Sequence, residues 1–197
     1  MITHILSELI LSITSFAVFI SYFQKKPLYT RLLWGVFLIT IALTALLTVV
    51  WYIGVDALSP VMYSFRRLEN TLAPVCMMVA TWGLINHTEV TRFVFWGTIG
   101  TGTGLFFGLV WYRMEALIQV VQPLCIVITM IIACFGLLKR QKSALWVIFA
   151  MTILALSSKL RLVLRAEVAI DPYHVLVAIA TICLGKAIQF EHRTLFK

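Results

Sequence analysis

Acidic residues are scarce in this chain: eight Asp and Glu stand against 16 Lys and Arg in 197 residues, and only 12% of the residues are charged. A soluble domain carries about 25% charged residues and about 45–50% apolar ones. At 61% hydrophobic, with a mean hydropathy of +0.99, this chain lies well outside that range. The shortage of charge excludes a soluble globular domain, and no polar stretch is long enough to form one beside the apolar part. Cysteine is sparse and badly spaced for chemistry. Cys76, Cys125, Cys134 and Cys183 all lie inside apolar segments with no Cys-x-x-Cys, so they read as inert buried thiols, not as disulfide or metal frameworks. The opening MITHILSELILSITSF lacks a basic n-region and is interrupted by Glu8, so it reads as a retained first helix and not as a cleaved signal. Gly-x-Ser-x-Gly is absent, and Ser157 and Ser158 have no evident base, so serine-type catalysis has no signature here.

What the chain has in abundance is long apolar runs. A spanning helix needs about 20 mainly apolar residues. Seven segments qualify: 2–23, 31–54, 67–86, 92–112, 116–138, 143–165 and 172–190. They predict an all-α polytopic membrane protein, one seven-helix transmembrane domain over 1–197. The apolar run of the sixth ends at Leu156, before Ser157-Ser158-Lys159. Arg113-Met114-Glu115 alone separates the fourth and fifth, which predicts a tight hairpin. Seven helices do not divide into two inverted repeats, and no sequence repeat is visible, which weighs against a transporter.

The few charges are arranged by side. One set of helix ends carries Lys25, Lys26, Arg31, Arg92, Lys139, Arg140, Lys142, Lys186, Arg193 and Lys197 against Glu89 and Glu191. The other carries Arg66, Arg67, Arg113, Lys159, Arg161 and Arg165, balanced by Glu8, Asp56, Glu69, Glu115, Glu167 and Asp171. All the net charge therefore belongs to the first set. Basic loops stay in the cytoplasm. The expected topology places the N-terminus outside and the C-terminus in the cytoplasm, in a bacterial inner membrane or its equivalent. The basic rim would attract anionic lipid. It does not imply nucleic acid, because its charges flank membrane segments. Asn86-His87-Thr88 fits the glycosylation pattern but falls on the cytoplasmic side, where it is silent.

Residues three or four apart share one helix face. On that spacing His4, Glu8, Ser12 and Ser15 line the first helix, and Thr40, Thr44 and Thr48 the second. Gln119, Gln122 and Thr129 line the fifth, and Asp171, His174, Ala178 and Thr181 the seventh. Glu8, Glu69, Arg161, Arg165, Asp171 and His174 all fall in the outer half of the membrane. Charges at that depth must face water, the bundle interior or one another. They define the expected ligand-binding set, lining a polar outer cavity. The bland alternative is a structural rim in which Lys159, Arg161 and Arg165 snorkel to the headgroups and the Thr and Ser hydroxyls bond backbone. Gly100, Gly104 and Gly108 form a small-residue stripe for close packing, within the bundle or against a second copy or another membrane protein. Lys186 invites comparison with a retinal-binding lysine. However, Ile182, one turn before it, is no counter-ion, and Lys186 lies close enough to the inner end to snorkel.

Arg67-Leu68-Glu69-Asn70 and Asp171-Pro172-Tyr173-His174-Val175-Leu176 carry a resemblance. They resemble the starts of the third and seventh helices in the superfamily of alkaline ceramidases, adiponectin receptors and haemolysin III proteins. Glu69 falls where that family has an Asp, and His174 where it has the first of two histidines one turn apart. The resemblance implies seven helices, bound zinc and, in the family's hydrolases, cleavage of lipid amides. This chain departs from the pattern in placing Ala178 at the second histidine position, and its second helix offers Thr44, Thr48 and Trp51 but no histidine. An alternative zinc set would draw on His4, Glu8, Glu69, Asp171 and His174, since catalytic zinc takes three protein ligands and a water.

Three functions follow from these residues. The first expectation is a non-catalytic membrane protein that binds a lipid or small apolar ligand in the outer cavity, or serves as an accessory or sensory subunit. The alternative is a divergent metal-dependent lipid amide hydrolase using His174, Glu69 and Asp171. A small transporter ranks third, since only Thr, Ser and Cys are expected at the midplane.

Overall fold

The computed structural model describes residues 2–112, 114–163 and 166–191; at 115, 161–163 and 166–170 it describes the backbone alone. Among the described residues there are seven long helices and no strand. They are α1 (Ile2–Val18), α2 (Leu28–Tyr52), α3 (Ser59–Asn86), α4 (Arg92–Trp111), α5 (Glu115–Leu138), α6 (Lys142–Val163) and α7 (Ala166–Gln189). A π turn over Phe19–Phe23 extends α1, and a 3-10 turn over Asp56–Leu58 leads into α3. Each of the seven is long and apolar enough to cross a bilayer. Lipid offers backbone groups no hydrogen-bond partner, so a chain this apolar must satisfy them within helices.

Six helices form a closed ring in the order α1, α2, α3, α5, α6, α7, and α7 returns to α1. α4 lies outside the ring, packed chiefly on α3. The core runs down the ring through Trp34, Leu38, Met77, Val147 and Leu184, all fully buried. Phe23 explains the π turn: the widened last turn sets its ring, wholly buried, 5.0 Å from that of Trp34. Glycine permits two close approaches. A Cβ at Gly136 would meet Ile85 and Ala144, and one at Gly185 would meet Tyr22.

Two helix starts differ from the sequence expectation. α3 begins at Ser59, not at 67, with Pro60 in its first turn. Proline suits that position because its missing N–H would be unpaired there anyway. The polar run Arg66-Arg67-Leu68-Glu69-Asn70 interrupts the hydropathy without interrupting the helix. α7 begins at Ala166, not at 172, so Asp171 and His174 stand inside a helix and not at its opening. α2 likewise begins at Leu28, not at 31. The α4–α5 hairpin is as tight as expected, with Met114 N–H bonding back to the Leu109 carbonyl at 2.9 Å.

Candidate functional site

The polar cluster of α7 meets that of α1. Asp171 and His174 are one turn apart on α7; His4, Ser7 and Glu8 share the facing stripe of α1. His4 Nδ1 lies 2.5 Å from Asp171 Oδ1. Ser7 Oγ lies 3.1 Å from His174 Nδ1, 3.2 Å from Asp171 Oδ1 and 3.0 Å from the His4 carbonyl oxygen. His174 Nε2 lies 3.1 Å from Glu8 Oε1. Five side chains on two helices thus form one connected network. Ser7, Glu8 and His174 are buried, at 5%, 3% and 6% exposure, while His4 and Asp171 reach solvent at the rim. The His4 ring also stacks on Tyr52 of α2, with centroids 6.1 Å apart.

Glu8 and His174 also line a narrow cavity of about 20 Å³ inside the ring. It is walled by Thr44 and Thr48 of α2, Arg66, Glu69 and Asn70 of α3, and Tyr173 of α7. A second lobe of about 110 Å³ shares Glu8, Thr48, Arg66 and His174 and extends to Trp51 and Tyr63. Beyond Asn70 and Tyr173 lies a crevice of about 560 Å³, lined by Gln119, Gln122 and Pro123 of α5 and Ser158 of α6. Asn70 and Tyr173 line both spaces. Two helix-interior prolines border this region. Pro74 and Pro123 have no N–H to offer the carbonyls of Asn70 and Gln119, four residues earlier, and both of those residues line the crevice.

The expected binding residues are therefore placed as follows. Glu8, Glu69 and His174 line the cavity; Asp171 stands behind His174 at the rim. Only the backbone of Arg161 is described, and Arg165 lies outside the described residues. Thr40, Thr44 and Thr48 each donate to the carbonyl four residues earlier, at 2.6, 2.8 and 2.8 Å, so their hydroxyls serve the helix first. Gly100, Gly104 and Gly108 do not pack inside the ring: a Cβ there would meet nothing. Gly102 does that work instead, against Leu72 of α3. Lys186 donates to Gln189 Oε1 at 2.9 Å, at the far end of α7 from His174.

The zinc set His4, Glu8, Glu69, Asp171 and His174 does not form a ligand sphere. Among the described residues no three His, Cys, Asp or Glu side chains converge on a common point. Both nitrogens of His174 are engaged by side chains, and His4 turns its Nδ1 to Asp171. A metal ligand needs a lone pair aimed at the ion, so these donors as arranged do not fit zinc. The sequence reasoning missed Ser7 and Asn70. Ser7 lies one turn from His4 and next to Glu8, so its spacing placed it on the same stripe.

The other end of the bundle holds a cavity of about 240 Å³ lined by Lys25, Lys26, His87, Glu89 and Glu191. Lys26 pairs with Glu191 there, and the acids offset the lysines, so it offers little net field for an anion.

The fold and the site define a class, a multi-pass helical bundle with a polar network at one end. No protein-family model, curated protein or solved structure matches this chain.

Proposed function

We propose that the protein binds an amphiphile, a lipid or a small apolar molecule with a polar head, in the cavity between α1, α2, α3 and α7. The carrying observation is a cavity walled by Glu8, Arg66, Glu69, Asn70 and His174 that shares Asn70 and Tyr173 with the larger crevice at α5. Ligand pockets of about 300–1,000 Å³ are mostly apolar with a few fixed polar groups, and the crevice has that size and make-up. The acyl part would lie in the crevice and the head would meet Asn70, Arg66 and Glu69. The Asn70 and Gln119 carbonyls, denied a proline N–H, add acceptors along the way. Glu69 and His174, which carry the ceramidase-like resemblance, both line this cavity, which agrees with a lipid ligand. On the charge asymmetry of the chain, this end faces outside and the lysine-rich end faces the cytoplasm.

Native mass spectrometry of the detergent-purified protein tests the proposal. The wild type should retain one lipid-sized adduct per chain. A double variant, Asn70→Leu with Gln122→Leu, fills the crevice with apolar volume and should lose it at unchanged fold. Retention of the same adduct by the double variant would place the lipid elsewhere on the bundle.

A further inference from the structure

We infer that the lobe of about 110 Å³ at the His174 end of the ring receives the quaternary ammonium end of a zwitterion, and that Arg66 holds its anionic end. As the head of the amphiphile proposed above, this zwitterion rests on that reading; the lobe is argued from its own walls. Its charged wall is Glu8 of α1 and Arg66 of α3. Facing the same space are three aromatic residues, Trp51 and Tyr52 at the end of α2 and Tyr63 in the second turn of α3. A cation is drawn to the electron-rich faces of such rings, and quaternary ammonium groups are recognised chiefly by aromatic boxes. The Trp51 and Tyr52 rings have centroids 5.1 Å apart, and Tyr52 stacks on His4, so this wall is braced by the α1 network. Aromatic residues at the ends of membrane helices commonly face the headgroup layer. These three line a space that also holds Glu8, which is only 3% exposed.

Charge selects the kind of ligand. A carboxylate and a guanidinium in one lobe disfavour a ligand of either single sign and match one that carries both. Arg66 suits the anionic end, since a guanidinium grips phosphate or carboxylate with two parallel N–H donors. Glu8 is already shared, because His174 Nε2 lies 3.1 Å from its Oε1. A primary ammonium would have to compete with His174 for that carboxylate. A quaternary ammonium has no N–H to donate; it needs only the rings and the nearby negative charge. Size points the same way. Whole-ligand pockets run to about 300–1,000 Å³, so a lobe of about 110 Å³ suits one compact group and not an entire ligand. The rest of the molecule extends past Arg66, either toward Asn70, one turn further along α3, or out of the mouth.

The test is calorimetric titration of the full chain, in a maltoside detergent, with phosphocholine, phosphoethanolamine and glycerol phosphate. Native mass spectrometry of the same preparation then measures retention of phospholipids bearing those three heads. The expected result is that the choline compound binds about tenfold more tightly than the glycerol one, with the ethanolamine compound between them. Trp51→Leu and Tyr63→Leu should each erase this ranking, whereas Arg66→Gln should weaken all three phosphates alike. A glycerol compound that binds as tightly as the choline one overturns the inference. So does a ranking that survives both leucine variants, each with an unchanged gel-filtration profile. The ranking among lipids identifies a lipid head. The ranking among the free heads alone, with no lipid retained, identifies a soluble zwitterion and overturns the amphiphile proposal. Lipids retained without any ranking overturn this inference and leave the amphiphile proposal standing, and no binding by any of the compounds overturns both.

Discussion

His174 is held by both of its nitrogens, and that is the feature on which the site turns. An imidazole with one free nitrogen can rotate out of register. With Ser7 on Nδ1 and Glu8 on Nε2 the ring plane is held from both sides. Removing one partner of a buried polar pair costs about 1–3 kcal/mol, because the other group remains desolvated. Glu8→Ala should therefore lower the unfolding free energy by about that much, read as a lower melting temperature in detergent. Glu8→Gln should recover much of it. If both variants melt with the wild type, the contact contributes nothing to the fold. The residues of this network were only half legible in the sequence. Ionisable groups in apolar segments stand out by their cost, so His4, Glu8, Asp171 and His174 were visible at once. Ser7 was not, because a serine in a membrane helix most often bonds its own backbone, as Thr44 and Thr48 do here. Which hydroxyl faces an imidazole depends on how two helices meet, and apolar periodicity is silent on that.

Among the elements, α4 is the least tied to the rest. It rests on α3 through Gly102 and turns Gly100, Gly104 and Gly108 away from the ring. A Cβ at Gly102 runs into Leu72, including that residue's backbone, whereas one at Gly104 meets open space. Gly102→Leu should thus destabilise the bundle, by about 1–3 kcal/mol as overpacking does, and Gly104→Leu should leave the isolated chain unchanged. Thermal unfolding of the two variants side by side decides this; a reversed order would mean that α4 is rotated from the position described. The sequence marked Gly100, Gly104 and Gly108 for close packing within the bundle or against a second copy, and only the first alternative is overturned. Gly102, off that stripe, makes the contact. Helix starts were misplaced for a related reason. Hydropathy falls where Arg66, Arg67 and Glu69 appear, while the backbone of α3 has been helical since Ser59.

For the whole molecule, the number of helices was legible because lipid leaves a chain this apolar no other economical way to satisfy its backbone. The closure of the ring was not, since nothing local in α1 says that its neighbours will be α2 and α7. The sidedness proposed here rests on charge alone and has a direct check. In a background with Cys76, Cys125, Cys134 and Cys183 replaced by alanine, a cysteine at Asp56 should react with a membrane-impermeant thiol reagent on intact cells. A cysteine at Lys25 should react only after permeabilisation. The opposite pattern would invert the topology and place the His174 network on the cytoplasmic side.

Ring closure has a further consequence during synthesis. Ser7 and His174 are separated by 167 positions in the chain, as are His4 and Asp171. At about 5–20 residues per second the ribosome needs on the order of tens of seconds to cover that distance. Throughout that interval α1 is already made, carrying a carboxylate whose imidazole does not yet exist. The Glu8–His174 contact cannot form until the seventh span is made. A chain that stops after six spans lacks His174, one partner of Glu8. The contact that orders the mature network therefore joins the first and last spans to be made, and it forms only once the chain is complete through α7.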